Sequence, residues 1–142
     1  MADRITRHIL IGGGTIKPWP ADVGFTILRV FAGLSMALAH GLGKIPPAGG
    51  FIEAVGNIGL PFPAVFAWAA GLSELVGGLL LAVGLLTRPA ALCVLLTMLT
   101  AAIGHHAGDS FHDRELALLY AVVALSFVLA GSGRVSIDRV LR

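Results

Sequence analysis

Polar and apolar positions along this chain fall into blocks. Four apolar runs, at residues 21–42, 61–86, 89–105 and 115–130, are separated by short breaks rich in glycine, proline and charge. A helix rises 1.5 Å per residue, so roughly 20 apolar residues cross the hydrocarbon core of a bilayer. The runs therefore predict an all-α membrane protein, a bundle of four transmembrane helices. Pro61 and Pro63 suit the first turn of the second helix, where a missing N–H costs nothing. The third helix follows a tight Thr87-Arg88 turn, and the fourth stops at Gly131-Ser132-Gly133. Between the first two runs, residues 49–57 place Phe51, Ile52 and Val55 among glycines, which predicts a short interfacial or re-entrant helix. A polar arm, residues 1–20, precedes the bundle, and a tail, residues 132–142, follows it.

Composition sharpens this picture. Of the 142 residues, 56% are apolar and 13% are charged, and the mean hydropathy is +0.89. Soluble domains carry about 25% charged residues. So little polar surface excludes a disordered chain and argues against a free soluble domain. A buried two-layer soluble bundle would tolerate the fourth run, but not residues 61–86, whose only charge is Glu74. The net charge of +2 comes without a basic cluster interleaved with aromatics, so no nucleic acid is implied. Cys93 is the single cysteine, and with no CxxC the chain alone carries no thiol–disulfide chemistry. Gly12-Gly13-Gly14 is no phosphate loop, because no strand precedes it and no GK[ST] follows. Ala37-Leu38-Ala39 resembles a signal cleavage site, but the apolar run is long and holds Arg29 inside it, so it reads as a span.

The few charges sort by side. Arg4, Arg7, Lys17, Arg88, Arg134, Arg139 and Arg142 collect on one face of the membrane, against Lys44 and Arg114 on the other. The positive-inside rule then puts both termini in the cytoplasm. Trp19, between Pro18 and Pro20, fits an interfacial aromatic.

Two charges do not lie at span ends. Arg29 is roughly 12 Å deep in the first span and Glu74 roughly 18 Å deep in the second, counting 1.5 Å per residue. A charge near the centre of a spanning helix costs about 2.5–3.5 kcal/mol on the insertion scale, so each needs a partner. Their long side chains predict an Arg29–Glu74 ion pair, either a lock between two helices or a functional centre. The Glu74 face reads Ala67, Ala70, Gly71, Glu74, Gly77, Gly78, small residues that let another helix approach. The Arg29 face reads Phe25, Arg29, Gly33, Met36, His40, Lys44 and leads towards the outer surface.

Polar groups converge at that outer end: His40 and Lys44, His105 and His106, His112, Asp109, Asp113, and Glu115 at the start of the fourth helix, where the dipole favours a carboxylate. His106 and His112 read as interfacial polarity; His40, His105 and Glu115 read as functional, because each sits at or inside a span end. No histidine spacing is diagnostic of a metal or of bis-His haem, so no metal is expected. A better fit is a quinone or a similar small apolar acceptor, whose head group needs a donor and a titratable relay in an apolar slot. Trp68 is a candidate to line that slot; Cys93 and Met98 read as packing.

The blocks Leu28-Arg29 with Gly33, His40-Gly41 with Lys44, Gly59-Leu60-Pro61, Ser73-Glu74-Leu75-Val76-Gly77-Gly78, Gly84-Leu85-Leu86-Thr87-Arg88, then Met98, His105, Glu115 and Gly131-Ser132-Gly133-Arg134-Val135-Ser136-Ile137-Asp138 resemble the DoxX family of small four-helix bacterial membrane proteins. The resemblance implies a multi-pass protein of the bacterial plasma (inner) membrane linked to redox metabolism. It also implies relatives that work beside quinone-linked oxidoreductases. It maps the family arginine and glutamate onto Arg29 and Glu74. Ser136, in the tail, is positioned to cap a short terminal helix.

Three functions are consistent with these residues. The first is a redox-linked subunit in which Glu74 and Arg29 are the catalytic buried charged pair and His40, Lys44, His105, Glu115 and Trp68 bind the quinone. The second is a scaffold whose tail docks a soluble oxidoreductase. The third is a small transporter, because intramembrane charges also mark ion paths. The expected partners are lipid, further copies of the chain and oxidoreductase subunits. No flavin, nicotinamide or iron–sulfur motif is present in the sequence.

Overall fold

The computed structural model describes residues 19–141, and every regular element among them is helical. In chain order these are α1 (Trp19–Lys44), α2 (Gly49–Asn57), α3 (Pro63–Val83), α4 (Thr87–His105), α5 (Phe111–Ala130) and α6 (Ile137–Val140). The arm with Arg4, Arg7, His8, the glycine run and Lys17 lies outside the described residues, as does Arg142. Helices α1, α3 and α4 are long and apolar enough to cross a membrane. The expectation of four spans is met only in part. α5 has 20 residues but opens with His112, Asp113, Arg114 and Glu115, so its apolar stretch, residues 116–130, falls short of a full span.

The helices run up and down, and neighbours in sequence pack as neighbours in space. The interior is rich in small residues: Ala37, Ala67, Ala91 and Ala124 are fully buried around a few large ones, Met36, Leu81 and Phe127, while Phe31, Val65, Ile103 and Leu129 face outward. This abundance of buried alanine and exposed large apolar side chains suits packing in lipid. Lipid solvates large apolar side chains, so helix association depends on close backbone approach.

Glycines set the α1–α3 register. A Cβ on Gly33 would lie 2.6 Å from Ala82 N and Gly78 O, and one on Gly78 would lie 2.8 Å from Gly33 O. Nearer the other end, a Cβ on Gly41 would collide with the backbone of Leu75 and Glu74. Arg29 therefore sits level with Gly84, whereas Glu74 sits level with Gly41. That offset of about twelve residues is roughly 18 Å.

Three helices widen into a π-helical turn, at Met36–Gly41 in α1, Ser73–Gly77 in α3 and Ala101–His105 in α4. Each such turn inserts a residue and rotates everything beyond it. The turn between α3 and α4 is a Schellman close: Gly84 (φ 71°) donates to Leu81 O at 3.1 Å and Leu85 donates to Leu80 O at 3.0 Å. Leu86 follows in the left-handed region as well (φ 49°).

Candidate functional site

A cleft of about 630 Å³ lies between α2, α3 and α4. Phe51, Val55 and Ile58 of α2 and its exit form one wall; Phe66, Ala69 and Ala70 of α3 and Leu96 of α4 continue the apolar lining. Its polar groups are few: Lys44, Ser73, Glu74, Thr97, Thr100, His105 and His106. Glu74 and His105 each stand on a π-helical turn, a distortion that recurs at functional sites.

Lys44 Nζ lies 2.6 and 2.8 Å from the two carboxylate oxygens of Glu74. The Glu74 side chain is 1% exposed and that of Lys44 is 33% exposed. The carboxylate is thus sealed while the ammonium reaches the open cleft. An ammonium has three donors, and a bidentate carboxylate engages two, so one remains for a ligand. Lys44 also sits 5.2 Å from the Phe51 ring centroid, a cation–π contact that ties α2 to the pair. Beside Glu74, Thr97 Oγ1 lies 3.0 Å from Ser73 Oγ and joins α4 to α3.

This geometry corrects the expected Arg29–Glu74 pair. Both residues are buried, but the glycine-set register holds them apart and Glu74 takes Lys44 instead. Arg29 anchors the tail. Its guanidinium donates to the carbonyls of Ser132 and Val135, the latter at 2.7 Å. The tail folds back over the α3–α4 turn, where Asp138 accepts from the N–H groups of Leu86 (2.8 Å) and Thr87 (3.0 Å) and its own N–H donates to Gly84 O (2.8 Å). Asp22 accepts from Arg134 N at 3.2 Å, and Ser136 caps α6 by accepting from Arg139 N. A Cβ on Gly84 would meet Arg29 Nη1 at 2.5 Å. The tail offered in sequence as a docking surface thus uses Ser132 and Asp138, both buried, to clamp the bundle.

Other expected site residues also disperse. His40, Glu115 and Trp68 do not line the cleft. The π turn in α1 rotates His40 towards α5, edge to face with Tyr120 at 5.5 Å, while Lys44 stays on the α3 side. Glu115 does not open its helix. α5 starts four residues earlier, at Phe111, with Asp113 in its first turn accepting from the Ser110 hydroxyl at 2.6 Å, and Glu115 is exposed. Trp68 points outward at 44% exposure. Cys93, read as packing, is exposed and lines the cleft; Met98 is buried in the core as expected. Lys44 and His105 both line the cleft. Sequence reasoning missed Phe51, Ser73, Thr97 and Thr100, although Cys93, Thr97 and Thr100 form a helical stripe that carried the signal.

The family model described as DoxX matches residues 24–107, more than half of the chain. A Bacillus subtilis protein named "Putative oxidoreductase CatD" is 31% identical over 82% of this chain and 86% of its own length. The "Inner membrane protein YphA" of Escherichia coli is 28% identical over 88% of this chain and 98% of its own length. An uncharacterized protein of Haemophilus influenzae is 40% identical over 49% of this chain and 57% of its own length. No solved structure gives a significant match.

Proposed function

The chain belongs to the DoxX family, and from that premise we propose that it is a redox-linked membrane subunit that binds a quinone, or a similar small apolar acceptor, in the α2–α3–α4 cleft. The observation that carries this reading is an apolar cleft that ends on the Lys44–Glu74 pair with one ammonium donor free. Its size falls within the roughly 300–1,000 Å³ of small-molecule sites. Lys44 donates to a quinone carbonyl; Phe51, Val55 and Ile58 face the ring; Ser73, Thr97 and His105 are the remaining polar contacts. Bound there, a quinone supplies a two-electron, two-proton acceptor, and a partner oxidoreductase subunit supplies the electrons. The Lys44–Glu74 pair holds protons beside the carbonyl. The relative named an oxidoreductase favours redox chemistry, and the one named an inner membrane protein favours the same location for this chain. In that setting α5 is the fourth span, its apolar stretch shorter than those of the others, and both termini are cytoplasmic.

Equilibrium binding of a short-tailed ubiquinone to reconstituted protein tests the reading. Lys44→Met and Glu74→Gln are each expected to weaken binding by about tenfold or more, the value of one charge-assisted hydrogen bond. Unchanged affinity in both variants, with helicity retained, refutes the assignment.

A further inference from the structure

The two ends of the bundle differ in charge. At the end that carries α2 and the α4–α5 turn, the exposed Glu53, Asp109, Asp113 and Glu115 outnumber the partly exposed Lys44 and Arg114. At the other end the carboxylates of Asp22 and Asp138 are buried and engaged by backbone N–H groups. The charges left accessible there are positive: Arg139 is exposed, and Arg88 and Arg134 are partly exposed.

The tail at this end is stapled from three directions, by Asp22, by Arg29 and through Asp138 to the start of α4. Those bonds turn its polar groups inward and leave Val135, Ile137, Val140 and Leu141 facing outward, Val140 at 84% exposure. A peptide so anchored cannot rotate its apolar side chains out of water. An apolar ridge flanked by arginines, at the end of a bundle of spanning helices, matches the composition of a segment lying in the headgroup–acyl boundary. Trp19, exposed at the same end, adds an interfacial aromatic.

We propose that residues 132–141 form a lipid-docking strap, whose Val135, Ile137, Val140 and Leu141 enter the boundary of an anionic leaflet while Arg88, Arg134 and Arg139 bind phospholipid phosphates. The strap is the surface a soluble partner would otherwise use, so the two occupants are alternatives. Each arginine near an anionic surface strengthens attraction by about fivefold, and the preference falls as salt screens it.

The test uses full-length protein reconstituted in vesicles of phosphatidylcholine and phosphatidylglycerol. A fluorophore is attached through Val140→Cys in a Cys93→Ala background. The expected result is quenching by doxyl-labelled lipid and protection from aqueous iodide, with labelled phosphatidylglycerol quenching several-fold more effectively than labelled phosphatidylcholine. Arg134→Gln with Arg139→Gln is expected to bring quenching by the two lipids close to equal. Should the double variant fail to fold, raising the salt on the parent is expected to erode the preference instead. Iodide quenching without lipid quenching places the strap in water and overturns the proposal, as does equal quenching by the two lipids.

Discussion

Asp138→Ala removes the acceptor that holds the tail to the start of α4. The Asp138 carboxylate is 1% exposed and takes the N–H groups of Leu86 and Thr87 at 2.8 and 3.0 Å. These are two of the donors that a helix N-terminus leaves without intrahelical partners. Losing a capping acceptor costs about 1 kcal/mol, and each buried donor left unsatisfied costs about 1–3 kcal/mol. Leu86 adds to the burden: its left-handed backbone (φ 49°) costs about 1–2 kcal/mol and needs the bond that holds it. The variant is therefore expected to lose about 2–4 kcal/mol. Asp138→Asn keeps one acceptor oxygen and is expected to lose about half as much. Denaturant unfolding in detergent measures both. Hydrogen exchange locates the damage: amides 86 and 87 should exchange faster, and those around Lys44 should not. A loss under about 0.5 kcal/mol for Asp138→Ala, the range of an ordinary surface substitution, refutes the capping argument. So does an asparagine as costly as alanine, because the formal charge opposite Arg29 would then be what matters.

Other outcomes follow from the packing and the cleft. Gly33→Ala places a Cβ 2.6 Å from α3 backbone and is expected to cost about 1–3 kcal/mol in the same melt, whereas Gly24→Ala, with nothing within 4 Å, is expected to gain up to about 1 kcal/mol. His40→Ala is expected to leave quinone affinity unchanged and His105→Ala to weaken it several-fold, because His105 alone of the two lines the cleft; binding isotherms decide this. Lys44→Met alone strands a sealed carboxylate and is expected to cost towards the lower end of the ~3–5 kcal/mol of a broken buried pair, since Lys44 is 33% exposed. Lys44→Met combined with Glu74→Leu is expected to melt within about 1 kcal/mol of the parent while losing quinone binding.

How much of this was legible in the sequence depends on the length scale. The bilayer imposes long apolar helices, so the blocks located α1, α3 and α4 to within two or three residues, and the aromatic-glycine segment located α2. The start of α5 was hidden because its first turns are polar, and apolar periodicity does not register a turn of His, Asp, Arg and Glu. Which ionisable groups pair was beyond reach for a different reason. Pairing depends on the register in which Gly33 and Gly41 seat against α3, and many registers satisfy the same small-residue face. The π turns compound this. A face extrapolated at 3.6 residues per turn ran Arg29, His40 and Lys44 together, whereas the inserted residue sends His40 to α5 and Lys44 to α3.

The rule that an intramembrane charge marks a functional site selects Arg29 and Glu74 alike, and the structure separates them by what surrounds each. Around Arg29 the acceptors are main-chain carbonyls of its own chain, with Asp22 and Asp138 closing the same end of the bundle against backbone N–H groups. Moving that guanidinium would release the tail and the turn together, so its desolvation cost is offset by holding the fold. Around Glu74 there is one partly exposed partner, a lysine at the end of its helix that reaches from an open cleft. The register would hold without this pair, because the glycines set it. A buried pair that the fold does not need, with a donor left over and apolar space in front of it, is better explained by a ligand than by packing. The two centres therefore predict opposite responses to apolar replacement. At Arg29 the fold fails, whereas at Lys44 and Glu74 together the fold survives and binding is lost.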